Sequence, residues 1–380
     1  MLRVLHLVGS ATDDFYAELS RLYARDCLAA TADPARYAFA VAWVTPDGRW
    51  RFPADLGDDA IAAAEPLSTS AALAHLATLR PDVVVPQMFC LPGMTAYRAL
   101  LDLLGIPYVG NPPDVMALGA HKARAKAVVA AAGVPVPAGE VLRAGEQPTL
   151  VPPVVVKPVD ADNSHGVTLV RRVADYGPAL RAAFAHSDAA LVEAYVELGR
   201  EVRCGVVERD GALGVELVGL PLEEYAVDPD RKPVRDSADK IGDDGAGGLR
   251  LVAKDHTRAW IVDTSDPVMP PVWEAARRCH VALGCRDYSL FDFRIDPAGK
   301  PWFLEAGLYC SFARTSVVAV MAAAAGVPCL GVGWEERTTA FLAEHEQSAI
   351  STRPPDEDLI AWVDATLPAR WSARPRLLSS

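Results

Sequence analysis

Residues 288–316 read YSLFDFRIDPAGKPWFLEAGLYCSFARTS, the stretch that most narrows what this chain can fold into. Residues 289–295 are rich in strand-forming side chains. Asp296-Pro297-Ala298-Gly299 is turn chemistry, and residues 301–305 supply a returning strand, so the stretch predicts a β-hairpin. Side chains alternate along a strand. Asp292 and Arg294 therefore share one face, and Phe303 and Glu305 are expected to share one on the return strand. If the hairpin closes in register, Asp292 and Glu305 point into the same space. Two converging carboxylates repel unless a cation sits between them, and Mg2+ suits one or two carboxylates plus phosphate oxygens. The plainer alternative is a surface hairpin with two solvated acids.

A chain of 380 residues that is 51% hydrophobic can build two or three lobes. Its net charge of −12 argues against a general nucleic-acid or anionic-membrane binder. No apolar run approaches bilayer length. The N-terminal MLRVLHLVGS lacks a long apolar signal region and reads as a first strand, so a cytoplasmic protein is expected. The 7 cysteines contain no CxxC pair and fit reduced packing thiols, and the 8 histidines show no zinc spacing. No GxGxxG follows Val8, which speaks against a dinucleotide-binding oxidoreductase.

Strand patterns at 2–8, 37–44 and 82–86 alternate with helical spacing at 15–28, 71–79 and 95–104. This predicts an open parallel α/β lobe, where ligands bind beyond the carboxyl ends of the strands. The segment QMFCLPGM at 87–94 is then a candidate substrate loop carrying Gln87, Met88 and Phe89; core packing is the alternative for the last two. A helix over 114–132 carries His121-Lys122-Ala123-Arg124-Ala125-Lys126, and three cations in five residues are usually a solvated face. VVVKP at 154–158 is a buried strand ending in Lys157, which calls for a phosphate partner or a snorkelling stem. The small polar loop at 160–166, which includes Ser164 and Gly166, can cradle phosphate oxygens, although it is not a Walker loop. Strands are expected at 190–196, 202–207 and 213–219. The polar segment 223–267, with Lys240 and Lys254, reads as a lid or functional loop. Helices at 271–283 and 315–326 flank the hairpin, with Ser316 near the start of the second, where anions are favoured. The chain end after 351 is expected to be disordered.

The order of these signals is specific. VVVKP, a polar Ser/Gly loop, VEAYVELGRE, a lysine-bearing loop, FDFRID and FLEAG together resemble the ATP-grasp fold, in its D-alanine–D-alanine ligase branch, over roughly residues 1–345. The resemblance implies an α/β (α+β), three-lobed ATP-grasp fold with ATP held between two β-sheets. The lobes would be an N-terminal α/β domain (1–112), a central subdomain (113–196), a C-terminal catalytic domain (197–346) and a helical or disordered tail (347–380). It implies that Lys122 and Lys157 contact ATP phosphates and that Ser164–Gly166 covers them. Glu193, Tyr195 and Val196 would form the adenine hinge, Glu201 would hold ribose, and Leu304 would pack under adenine. Lys240 would reach the transferred phosphate, and Asp292 and Glu305 would bind Mg2+.

Two positions depart from that pattern. The family's third metal ligand, an asparagine, is here Gly307, and the arginine it places two residues before the first acid is here Leu290. Arg294 lies on the same strand face and either compensates or makes a structural salt bridge. The family's HG..GEDG substrate motif is replaced by PQMFCLPGM. The blocks GSATDDFYAELSRLYARDCLAATADP, PQMFCLPGMTAYRALLDLLGIPYVGN, GREVRCG and GLPLEEYAVDP resemble the mycosporine-glycine–amino acid ligases of mycosporine-like amino acid biosynthesis. That likeness implies small-molecule substrates, mycosporine-glycine and an amino acid (Ser, Thr or Gly), joined through a phosphorylated intermediate to give shinorine or porphyra-334. Ser316, beside Arg314 and Thr315, would take the amino-acid carboxylate. Tyr309, Gln87, Met88 and Phe89 would line the pocket. No nucleic-acid or membrane partner is expected, and a homodimer is carried as an expectation because relatives of the fold are often dimers. Two further readings stay open: a dipeptide-forming carboxylate–amine ligase, and a non-catalytic nucleotide-binding homologue.

Overall fold

A computed structural model describes residues 1–161, 164–211, 214–228, 241–243, 249–251 and 258–327. Among the described residues the chain separates into two compact units, one of residues 1–109 and 311–314 and the other of residues 110–310 and 315–327.

In the first unit, β1 (Leu2–Gly9), α1 (Asp14–Thr31), β2 (Tyr37–Val44), β3 (Trp50–Arg51), α2 (Asp58–Ala63), α3 (Thr69–Leu79), β4 (Val83–Pro86), α4 (Leu91–Met94) and α5 (Ala96–Leu103) follow one another. The sheet order is β3-β2-β1-β4; β1 runs parallel to β2 and β4, and only β3 is antiparallel. The near-continuous apolar runs of β1 and β4 suit strands covered on both faces. Leu5, Leu7, Trp50, Val84, Met88, Leu101 and Tyr108 form the core beneath the helices. Asp13 caps α1 by accepting from the Tyr16 amide at 2.8 Å. The sequence reading of this open parallel lobe matches these elements to within a few residues, apart from the short β3, α2 and α4, which it did not anticipate.

The second unit continues with α6 (Pro113–Ala120), α7 (Lys122–Ala131), β5 (Gly139–Arg143), β6 (Val154–Pro158), β7 (Thr168–Val170), α8 (Tyr176–Phe184), β8 (Ala189–Ala194), β9 (Arg200–Gly211), β10 (Gly214–Gly219) and β11 (Glu223–Tyr225). It ends with β12 (Ile241–Asp243), β13 (Leu249–Leu251), β14 (Ala259–Ile261), α9 (Met269–Leu283), β15 (Tyr288–Ile295), β16 (Pro301–Gly307) and α10 (Val317–Ala324). One antiparallel sheet has the order β5-β8-β6-β7. A six-stranded one has the order β14-β11-β9-β15-β16, with β10 also paired to β9. The single helix expected over 114–132 is two. His121 leaves the helical region (φ −98°, ψ 94°) and caps α7 by accepting from the Arg124 amide. The polar segment 223–267 is less irregular than its composition suggests, because Glu223–Tyr225 and Ala259–Ile261 pair as strands.

A second correction concerns the hairpin. Asp292 pairs with Glu305 as expected, but a bulge between Asp292 and Phe293 makes Phe293 pair with Phe303. An extra residue on one strand switches which side its neighbours face. Phe303 therefore joins the core, while Glu305 stays on the Asp292 face and is one-third exposed. Among the described residues, no helix is long and apolar enough to cross a membrane.

Candidate active site

Cross-strand partners project to the same side of a sheet, so the registers define rows. Glu223, Arg203, Asp292 and Glu305 form one row across β11, β9, β15 and β16. The adjacent row contains Glu201, Arg294 and Trp302; the row on the other side is Gly205, Leu290 and Gly307. A charged band thus borders an uncharged one made of two glycines and a leucine.

Within the charged row, Arg203 grips Asp292 with both prongs: Nε donates to Oδ1, and Nη2 to Oδ2 at 2.8 Å. Burial opposes the charge on Arg203, but the Asp292 and Glu223 carboxylates outweigh it and hold its pKa well above the ordinary arginine value. Arg203 also lies over the Tyr225 ring, whose hydroxyl donates to Glu223. At the other end, Lys122 approaches Glu305 at 3.8 Å and donates to the Ala161 carbonyl. Its placement follows from the α7 N-terminus, where the Lys122 amide donates to Val159 O at 2.7 Å.

The sequence reading of HKARAK as a solvated face is corrected here. Arg124 is exposed, but Lys122 and Lys126, four residues apart on one helix face, are buried. Lys126 lies 3.0 Å from Glu193, and Lys157 lies 2.6 Å from the other oxygen of the same carboxylate. Glu193 is 3% exposed. Burial alone would raise its pKa, yet the two ammonium groups hold it below the usual carboxylate range. Burial pushes Lys126 down to about 8, against the pull of Glu193. Glu193 therefore anchors two lysines through its side chain, a use the sequence did not disclose.

The remaining candidates divide as follows. Ser164 (φ +59°) and Gly166 (φ +70°) form a tight turn after β6. A Cβ on Gly166 would stand 2.8 Å from Ala182 O, so a side chain there is excluded sterically as well as by its backbone angle. Arg294 hydrogen-bonds Glu201 at 2.6 Å, donates to Val196 O at 3.3 Å and covers the Tyr195 ring at 5.2 Å. It is thus committed to a buried ion pair with Glu201. Leu304 is half-buried at the bulge. Ser316 is the N-cap residue of α10 but makes no side-chain cap; its Oγ lies 3.7 Å from Cys310 Sγ. Tyr309 is half-buried, and Arg314 and Thr315 are exposed. Gln87, Met88 and Phe89 belong to the first unit and are all buried. Met88 is part of its core, Phe89 packs edge-on against Tyr23, and Gln87 Nε2 donates to Ser311 O at 3.3 Å. Lys240 and Lys254 lie outside the described residues.

Sequence reasoning missed Arg203 and Lys126. Both were accessible by periodicity: Arg203 follows Glu201 by two on a strand, and Lys126 follows Lys122 by four on a helix. The donor set fits a nucleotide and a divalent ion. It offers the paired Asp292 and Glu305 carboxylates with Glu305 partly open to solvent, buried cations in Lys122, Lys126 and Lys157, and a half-buried one in Arg203. Among the described residues, no group of three His, Cys, Asp or Glu side chains gathers that could hold a metal. That suits an ion taking its other ligands from phosphate oxygens and water.

The profile of the family described as D-ala D-ala ligase C-terminus matches residues 136–227. A D-alanine–D-alanine ligase of Methylorubrum extorquens is 33% identical over 261 residues, covering 66% of this chain and 78% of that protein. The structure of the D-alanine–D-alanine ligase from Coxiella burnetii superposes with a TM-score of 0.66 at 19% identity, covering 96% of this chain and 100% of the other. The Bacillus anthracis D-alanine–D-alanine ligase complexed with ATP superposes with a TM-score of 0.64 at 18% identity, covering 91% and 100%. These structural likenesses establish the fold.

Proposed function

The chain belongs to the D-alanine–D-alanine ligase family of ATP-grasp, ATP-dependent ligases, and from that premise we propose that it joins mycosporine-glycine to serine, threonine or glycine. The observation that carries this reading is the uncharged row Gly205, Leu290 and Gly307 beside the carboxylates. An acyl phosphate carries charge that needs a cation beside it, whereas a conjugated ring carbonyl is neutral and needs flat apolar room. The nearest atoms a Cβ at Gly307 would meet are those of Leu290, at 3.8–4.0 Å, an ordinary contact distance, so the glycine leaves space above that floor.

In the proposed reaction the ring carbonyl oxygen attacks the γ-phosphorus of ATP and the bond to ADP breaks. The amino group of the second substrate then attacks the activated ring carbon. Its nitrogen loses the remaining protons, phosphate departs, and a conjugated C=N bond remains. Lys122, Lys157 and Lys240 neutralise charge on the phosphoryl oxygens, and Glu193 holds Lys157 in place. Tyr195 and Val196 border adenine, with Leu304 beneath it. Glu201, steadied by Arg294, faces ribose. Mg2+ held through Asp292 and Glu305 supplies further charge neutralisation when bound. Ser316 and Thr315 receive the amino-acid carboxylate at the start of α10.

The test is phosphate release with ATP, Mg2+ and mycosporine-glycine, with and without each amino acid, while following the ultraviolet spectrum. Release that requires both substrates, with absorption moving to longer wavelength, is the expected result. The names of the relatives favour a second reading, a dipeptide ligase. Phosphate release with amino acids alone would replace the first reading with the second.

A further inference from the structure

Three charges are buried together beside the proposed phosphate site, and one of them has no role in the chemistry described so far. Lys157 and Lys126 approach different oxygens of Glu193, at 2.6 and 3.0 Å. The two lysine side chains are 8% and 6% exposed and that of Glu193 is 3% exposed, so water and salt screen the three charges little. Lys126 is also tied to β16: it donates to the Phe303 carbonyl at 3.0 Å and lies over the Phe303 ring at 5.8 Å. Lys157 has no such second anchor; among the described residues Glu193 is the acceptor it meets. Glu305 also pulls on Lys126, but its own near cation is Lys122, at 3.8 Å.

This balance decides what Lys157 can offer a ligand. One ammonium facing one carboxylate makes a neutral pair, which attracts an anion weakly. Two ammonium groups on one carboxylate leave one net positive charge. Lys126 is held by the Phe303 carbonyl, so the ammonium with donors to spare is that of Lys157. We propose that Lys126 is a positioning residue for the phosphate arm: by sharing Glu193 it keeps that carboxylate from neutralising Lys157, and so leaves Lys157 able to bind the phosphoryl oxygens of a nucleotide. This deepens the nucleotide site proposed above and rests on it. Lys126 itself touches no substrate, moves no proton and forms no bond; it acts through Glu193.

The experiment measures binding of AMP-PNP and of adenosine, with Mg2+ at pH 7, to the wild-type chain, to Lys126→Met, and to Lys126→Met combined with Glu193→Gln. Burial pushes Lys126 down only to about 8, so it is charged at that pH. Lys126→Met leaves a neutral Glu193–Lys157 pair, and AMP-PNP should bind about tenfold more weakly. The double variant also removes the carboxylate charge, which restores one net positive charge, and AMP-PNP binding should return to within about threefold of wild type. Adenosine carries no phosphate and should bind all three proteins alike, which also reports that the variants are folded. AMP-PNP binding that is unchanged in Lys126→Met, stays weak in the double variant, or falls in step with adenosine would make Lys126 a structural peg only and overturn the proposal. Failure of the wild-type chain to bind AMP-PNP would instead overturn the nucleotide site, and the proposal with it. If Lys126→Met does not fold, Lys126→Gln, which keeps a donor for the Phe303 carbonyl, carries the same comparison.

Discussion

Glu193→Gln probes the charge balance that keeps two lysines buried. Glu193 faces Lys157 at 2.6 Å and Lys126 at 3.0 Å, and all three side chains are under 9% exposed. The amide removes the nearest counter-charge of both ammonium groups, and breaking a buried pair in this way costs about 3–5 kcal/mol. For a unit of this size that corresponds to a melting temperature lower by about 6–20 °C. Lys126 has an escape, however. Its pKa is already pushed down to about 8 by burial, and Glu193 is what keeps it from falling further. Without Glu193 the ammonium gives up its proton near neutrality, and the repulsion with Lys157 ends. The deficit should therefore be greatest near about pH 6 and shrink toward about pH 9. Thermal unfolding of both proteins across that range is the assay. Lys126→Met combined with Glu193→Gln should recover part of the loss, because only one buried cation then remains. A deficit that is the same at both ends of the range, or below about 1 kcal/mol at the acid end, would refute the idea that Glu193 balances both charges.

His6 is fully buried in the first unit, and burial pushes its pKa down to about 3. The folded state refuses a proton that the unfolded chain accepts, so stability should fall as pH drops from about 6.5 toward 3, and His6→Leu should flatten that slope in melting curves. Gly166→Ala meets both a positive φ and a contact of 2.8 Å with Ala182 O; it should destabilise by more than about 1 kcal/mol and raise KM for ATP, read by thermal shift and steady-state kinetics. Gly307→Leu projects a side chain over Leu290 from a position with ordinary contacts; KM for mycosporine-glycine should rise about tenfold or more while KM for ATP stays level.

Much of the molecule was legible because its signals are local. The parallel lobe and the buried VVVKP strand follow from alternation and turn chemistry, whereas Asp292 meets Glu305 only through the bulge, since the turn register alone would set Leu304 opposite it. What was not legible depends on register or on a distant partner. The bulge that turns Phe303 into the core comes from closure of β16 onto β15, and nothing in PWFLEAG marks it. The solvated reading of HKARAK failed because a carboxylate from β8, well beyond the helix in sequence, neutralises Lys126. Arg294 shares the Asp292 face, as periodicity requires, yet its guanidinium goes to Glu201; alternation fixes a side, not a partner.

The charged row shows why this sheet suits phosphoryl transfer. Glu223, Asp292 and Glu305 contribute three negative charges, and Arg203 and Lys122 two positive ones. Carboxylates and cations thus share the row, which suits a divalent ion bound together with phosphate oxygens. Bound Mg2+ would reverse the sign of the row, and the phosphate tail would meet a positive surface backed by Lys157. An unpaired Asp292 would make the row more acidic, which would repel a triphosphate arriving without its metal. Arg203 therefore permits ATP to approach either alone or with its ion, and metal dependence should appear in the chemical step more than in nucleotide binding. If wild-type binding of AMP-PNP in EDTA proved more than about a thousandfold weaker than with Mn2+, this electrostatic account of the row would be wrong.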